Sequence, residues 1–225
     1  MIGVKRSCKA PAILANGAAK DRYRHKEVVD RLIADFHGKC YICEISPLQS
    51  AEVEHLRPHK GGKYPQRMFD WKNLFLSCRH CNSVKAKPKY DDGIIDCCER
   101  NPEALLDQEL FENTVRVTPL CGDCEVHLTA DLLEEVFMSD SQALRGHESD
   151  VRLKELQKQM NLLYSSLEKY RSDKNDAVAT RTLRAILNPG AAFAGFTRCY
   201  VRKHLHDYPE LESCVSLDDL QTADE

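Results

Sequence analysis

Apolar positions recur in two rhythms along the chain. Val28, Val29, Leu32, Ile33 and Phe36 fall at helical spacing and Gly38 follows as a stop, which predicts a helix over 21–37. Leu153, Leu156, Met160, Leu163, Leu167 and Tyr170 are spaced by three and four, one apolar seam along a long helix. The seam spans only about three heptads, the short end for a coiled coil, so it is expected to pack on its own domain. Asn188-Pro189-Gly190 ends the next helix and 191–206 forms a last one. Strand rhythm is scarce: the one clear β-like run is Thr114-Val115-Arg116-Val117-Thr118, after turn signals at Asp92-Gly93 and Asn101-Pro102.

These patterns divide the chain into five stretches. Residues 1–38 are an extended arm followed by the first helix, and 39–90 are short of periodicity but dense in Cys and His. A connecting β/turn segment over 91–127 leads to a helical region over 128–206, the expected partner interface. Residues 207–225 are an acidic tail expected to lack structure. Apolar residues make up 42% and charged residues 30%, a balance that suits a folded domain rather than a disordered one. No apolar run approaches the roughly 18 residues of a membrane span. The first residues lack a secretory h-region, so a cytoplasmic location and no membrane contact are expected.

Charge is segregated. The net charge is −3, yet from His55 to Tyr90 nine Lys/Arg face a single acid, Asp70, while seven acids and no Lys/Arg follow from Asp207. A basic window interleaved with Tyr64, Phe69, Trp71 and Phe75 suits a polyanion such as nucleic acid, although charge alone fits a solvated face as well. Trp71 reads as a core plug rather than a base-stacking platform.

Cysteine is the compositional outlier, with 11 residues. Cys40-Tyr41-Ile42-Cys43 and Cys78-Arg79-His80-Cys81 each place two thiolates on one turn, and together they complete a closed tetrahedral S₄ site for structural Zn²⁺. Ligation would supply folding energy, roughly 10–16 kcal/mol in zinc peptides, to a segment poor in core residues. Cys97-Cys98 with Cys121 and Cys124 could form a second zinc site, although adjacent cysteines ligate one ion awkwardly. Isolated Cys8, Cys199 and Cys214 read as small buried hydrophobes.

Around the knuckles lie Glu54-His55, Pro58, Gly61-Gly62, Asn73-Leu74 and Cys81-Asn82-Ser83-Val84-Lys85. This stretch, 40–85, resembles the HNH endonucleases in the order of its motifs. The resemblance implies an α+β protein with a zinc-stapled ββα-metal core, an N-terminal helix and a mostly α-helical C-terminal half. Glu54-His55 stands where Asp-His is commoner, and Asn82 where His often stands. Wider matches at Met1-Ile2, Pro11, Phe69-Asp70-Trp71-Lys72-Asn73-Leu74, Ile94-Ile95-Asp96 and Phe193-Ala194-Gly195-Phe196 resemble the PtuB nuclease subunits of Septu-type antiphage systems, some of them attached to retrons.

That resemblance implies a nuclease controlled by a separate PtuA-like ATPase, in some systems with a reverse transcriptase–msDNA complex. The chain carries no G-x-x-x-x-G-K-[ST] loop of its own. Phosphodiester hydrolysis needs an activated water and stabilisation of the crowded phosphate and leaving oxygen. Glu54 and Asn82 offer hard oxygens for Mg²⁺, for which Mn²⁺ could substitute, and Glu52 is the alternative carboxylate. His55 is the candidate general base, a role typically worth about 10²–10⁴-fold. Asn73 is expected to tie the loop that orients His55, and Arg57 and Lys85 to contact phosphate. Because neighbours on a strand face opposite ways, a bend or a strand-end position must bring Glu54 and His55 to one phosphate. His37, His59 and His80 receive no role. The rival functions are a zinc-dependent nucleic-acid-binding module without catalysis and a scaffold subunit. The substrate could be DNA or RNA.

Overall fold

The computed structural model describes residues 1–16, 21–91, 93–139 and 143–217 of the chain. It is α+β, with helices predominating and two small antiparallel sheets. After a short helix α1 (Ala12–Asn16), helix α2 spans Lys26–Asp35, with His25 accepting from the Glu27 amide at its start. Gly38, at φ 65°, closes it by donating to the Ile33 carbonyl at 2.8 Å. Strands β1 (Ala51–His55) and β2 (Leu74–Cys78) pair from Ala51↔Cys78 to His55↔Leu74, and β2 runs directly into helix α3 (Arg79–Lys85). The 39–90 stretch thus holds two five-residue strands and one seven-residue helix.

A second hairpin follows: β3 (Leu106–Phe111) pairs with β4 (Thr114–Pro119). The sequence signalled only β4, because Asp107, Gln108 and Glu109 break the apolar rhythm of β3. The fold spends each of these polar groups. Gln108 is buried against Met1, while Asp107 and Glu109 hold Lys203 at 2.6 Å each.

Helices α4 (Cys124–Met138), α5 (Ala143–Ser172), α6 (Ala177–Ile186) and α7 (Ala194–Lys203) complete the core. The seam of α5 is spent inside the chain: Leu156, Met160, Leu163 and Leu167 are buried where α5 packs on α4, α6 and α7. The expected partner interface over 128–206 therefore cannot use this seam. The acidic tail also begins later than expected. A 3₁₀ turn over Pro209–Leu211 and helix α8 (Glu212–Val215) bury Leu211 and Val215, and only 218–225 lie outside the described residues. The N-terminal segment is no loose arm, for Met1, Ile2 and Val4 are buried; residues 17–20 of it, and Asp92 of the expected Asp92-Gly93 turn, lie outside the described residues.

One buried polar junction joins three distant parts of the chain. Glu44 accepts from Lys39 Nζ at 2.9 Å and from the Gly195 amide at 2.8 Å, and its carboxylate lies 3.2 Å from the Met1 amino group. Lys39 also donates to the Pro189 and Ala191 carbonyls. Burial alone would raise the Glu44 pKa, but Lys39 and the Met1 amino group hold it at about 2. The value lies below the ordinary 4.5, so the contribution of this carboxylate to stability is complete above pH 4.5 and fades as the pH falls towards 2.

Gly195 has no room for a side chain: an added Cβ would lie 2.7 Å from Glu44 Oε2 and 2.8 Å from the Met1 carbonyl. Gly195→Ala should destabilise the protein by about 1–3 kcal/mol through overpacking, a melting-point loss of several degrees in a chain of this size. A thermal scan showing no change would contradict the closeness of this junction.

Candidate metal centre and catalytic site

The first knuckle forms because the chain reverses tightly after α2. The Glu44 amide returns to the Cys40 carbonyl at 2.9 Å, and the Tyr41 amide ties the turn to Leu76 of β2 at 3.0 Å. The second knuckle lies where β2 becomes α3, with Cys78 Sγ capping the helix by accepting from the Cys81 amide at 3.4 Å. The two turns bring Cys40, Cys43, Cys78 and Cys81 together as a buried cluster whose sulfurs all lie within 4.8 Å of one another. A tetrahedron of zinc–sulfur bonds of about 2.3 Å has sulfur–sulfur edges of about 3.8 Å, and Cys43 and Cys78 are 3.9 Å apart. The set fits structural Zn²⁺.

Burial pushes the Cys43 and Cys81 thiols up, while hydrogen bonds from Cys40, Cys43 and Cys81 push Cys78 far down. Arg152 of α5 donates from Nη2 to Cys78 Sγ at 3.3 Å. Zn²⁺ must displace the remaining thiol protons to bind. Nothing in the sequence singled out Arg152. It lies on the charged flank of the seam helix, and only the fold brings it to sulfur. Ser149, one turn earlier, anchors the same helix to the Val136 carbonyl and lies 3.5 Å from His80 Nε2.

Cys97, Cys98, Cys121 and Cys124 form no second cluster among the described residues: Cys97 is buried, whereas Cys121 and Cys124 are exposed. Of the isolated cysteines, Cys199 is buried and Cys214 half-buried, but Cys8 is exposed.

The candidate catalytic residues divide between the two sides of β1. The strand keeps regular pairing through His55, so no bend breaks its alternation. Glu52 and Glu54 both turn to α3, whereas His55 meets Tyr23 and His59, each with ring centroids 4.9 Å away. Glu54 is buried, accepting from Lys85 Nζ at 2.6 Å through Oε1 and from the Tyr41 hydroxyl at 2.7 Å through Oε2. Asn82 instead donates to Glu52 at 2.6 Å. Glu54 and Asn82, the expected Mg²⁺ pair, thus have different partners. The cation against Glu54 is the Lys85 ammonium, which also donates to the His55 and Leu56 carbonyls. Glu52, the alternative carboxylate, is the one Asn82 reaches, but it lies on the side of β1 away from the His55 ring. Lys85, enclosed by three oxygens and buried, is not placed to contact a phosphate.

Asn73 sits at the foot of β2 and holds the intervening loop shut. Its Oδ1 accepts from the Arg57 amide at 2.8 Å, and its Nδ2 donates to the Arg57 and Arg67 carbonyls at 2.9 Å each. The same loop carries Met68, whose carbonyl lies 3.0 Å from His55 Nε2. A carbonyl only accepts, so Nε2 carries the proton and Nδ1 keeps its lone pair. Burial lowers the His55 pKa, with the His59 ring adding to the shift against the raising effect of the Met68 bond. The imidazole is thus neutral at neutral pH. Trp71 is buried, donating to the Ser7 carbonyl at 2.9 Å, and so plugs the core.

Acids from the following segments neutralise much of the basic window. Arg57 pairs with Glu125 at 3.2 Å, Lys60 with Asp91, Lys72 with Glu99, and Lys87 and Lys89 with Glu135. Arg57 remains half-exposed, but it is engaged by a carboxylate rather than free for a phosphate. The charge segregation along the sequence is largely undone in space.

Compared with family models and with curated proteins, the chain matches none.

If the four sulfurs staple this region, Cys40→Ser or Cys78→Ser should lower solubility and release metal, because one lost thiolate breaks a closed site. Elemental analysis finding no zinc in well-folded wild-type protein would end the assignment.

Proposed function

We propose that the chain is an HNH-type endonuclease that hydrolyses nucleic-acid phosphodiester bonds, with His55 as proton acceptor. The observation that carries this reading is the His55 geometry. Its Nε2–H is fixed on the Met68 carbonyl and its neutral Nδ1 is left to take a proton. The hairpin-then-helix order of β1, β2 and α3 and the buried four-cysteine cluster support it, as does the loop tied by Asn73. In the proposed reaction a water oxygen attacks phosphorus as its proton passes to Nδ1, the bond to the leaving 3′ oxygen breaks, and that oxygen takes a proton from solvent. The zinc is structural, because four thiolates leave no open position.

Mg²⁺ chemistry at Glu54 and Asn82 does not fit the residues as the fold arranges them. Glu54 already holds a cation in Lys85 and a donor in Tyr41. That same sequestration favours a second reading, a zinc-stapled nucleic-acid-binding module without catalysis. As a nuclease, the chain would act as the effector of an antiphage system whose nucleotide control comes from a separate ATPase.

One experiment separates the two readings. Wild-type and His55→Ala protein are incubated with plasmid and with total RNA in the presence of Mg²⁺ or Mn²⁺. The nuclease reading expects cleavage that falls by about 10² or more in His55→Ala, with zinc content and melting unchanged. Equal rates in the two proteins would remove His55 from the chemistry, and no cleavage by either would leave the binding module. Cleavage should also persist as the pH drops below 6.5, because the lowered pKa keeps His55 unprotonated there, and should fail only below that shifted value.

A further inference from the structure

A cleft of about 750 Å³ opens beside the four-cysteine cluster, between the loop that precedes β1 and the N-terminal turns of α3 and α5. Pro47, Leu48 and Val151 give it an apolar wall, and Val151 is 40% exposed. Arg79, His147 and Arg152 line it, with His80 and Cys78 at the second knuckle. The one acid among the lining residues, Glu148, is taken by Arg152 at 2.7 Å. Arg152 is itself committed to Glu148 and to Cys78. Arg79 differs: it is exposed, and no acid pairs with it among the described residues. In a window whose other cations are mostly neutralised, an unmatched guanidinium has been left facing an apolar-walled cleft.

From this juxtaposition the geometry points to a binding site for an unpaired nucleic-acid strand, with a backbone phosphate on Arg79, His147 beside it, and a base against Leu48 and Val151. A guanidinium with free donors engages phosphate bidentately, and aliphatic side chains, having no hydrogen-bonding groups, contact a base without reading its edge. The volume admits a nucleotide rather than a duplex. The cleft adjoins the start of β1 and His55 ends that strand, so about five residues, roughly 17 Å, separate them. The identity of the polymer rests on the nuclease reading; the cleft itself is read by binding, not cleavage.

The test is equilibrium anisotropy with fluorescein-labelled oligo-dT and oligo-U on full-length, zinc-loaded protein carrying His55→Ala to block turnover. Adding Arg79→Glu should weaken binding at least about tenfold and lower the salt slope by about one phosphate contact. Arg79→Gln and His147→Glu should move it in the same direction, which guards against a fold defect in any one variant. Zinc content and melting are checked for each. Lys63→Glu, at an exposed lysine outside the cleft, should do little. Unchanged binding by all three cleft variants, or an equal loss in Lys63→Glu, would overturn the site. Failure of both oligonucleotides to bind the parent would overturn it too, as would displacement by polyglutamate as effective as by nucleic acid, which would make the cleft an acidic-peptide site. Arg79-dependent binding without wild-type cleavage would sink the nuclease reading but keep the cleft. Cleavage with Arg79-independent binding would do the reverse.

Discussion

Four sulfurs gathered within 4.8 Å in a buried place set the terms for everything around them. Negative charge in such a cluster is costly to bury unless a cation shares the space. The protein meets this from two directions. It places Arg152 from a helix some seventy residues away against Cys78, and it offers a sulfur set suited to Zn²⁺. The strands of the hairpin are too short to stand alone in water. Their ends are held because Cys78 is at once the last residue of β2, the cap of α3 and a corner of the cluster.

Arg152 also explains why the long helix belongs to the same body as the hairpin. Its seam buries Leu156, Met160, Leu163 and Leu167 against neighbouring helices, and its first turns deliver Ser149 and Arg152 to the second knuckle. Apolar burial fixes where α5 lies, and two polar side chains fix how it meets the sulfur site. A change at the cysteines is therefore felt at the start of α5.

The parts of this molecule that were legible in the sequence are those set by local rules. The C-x-x-C pairs, the helical seam, the Gly38 stop and the run of β4 all depend on spacing within a few residues. Pairings between distant residues were not legible. Strand β3 was hidden because Asp107, Gln108 and Glu109 look like loop until Lys203 and Met1 arrive from the far ends of the chain. The basic window read as a polyanion surface because its acids, Asp91, Glu99, Glu125 and Glu135, come later in sequence. Arg79 stands out only once those pairs are subtracted. The seam gave no hint of Arg152, since a charged residue beside an apolar stripe is ordinary.

The split of Glu54 from His55 follows from the same contrast between local and distant effects. Alternation along β1 is local, and it alone sends the two side chains apart unless something bends the strand. Nothing does, because pairing with β2 continues through His55↔Leu74. Glu54 then faces α3, where Lys85 lies close enough to donate at 2.6 Å, and a buried carboxylate takes the nearest cation. Lys85 spans three oxygens at once, Glu54 Oε1 and the His55 and Leu56 carbonyls, and so pins the end of β1 from beneath. Asn73 pins the facing loop from above. His55 lies between these two clamps with its backbone held by one and its Nε2 held by the loop that the other closes. A carboxylate that looked like a metal ligand in the sequence thus acts in the fold as half of an internal ion pair, and what that ion pair secures is the position of the histidine.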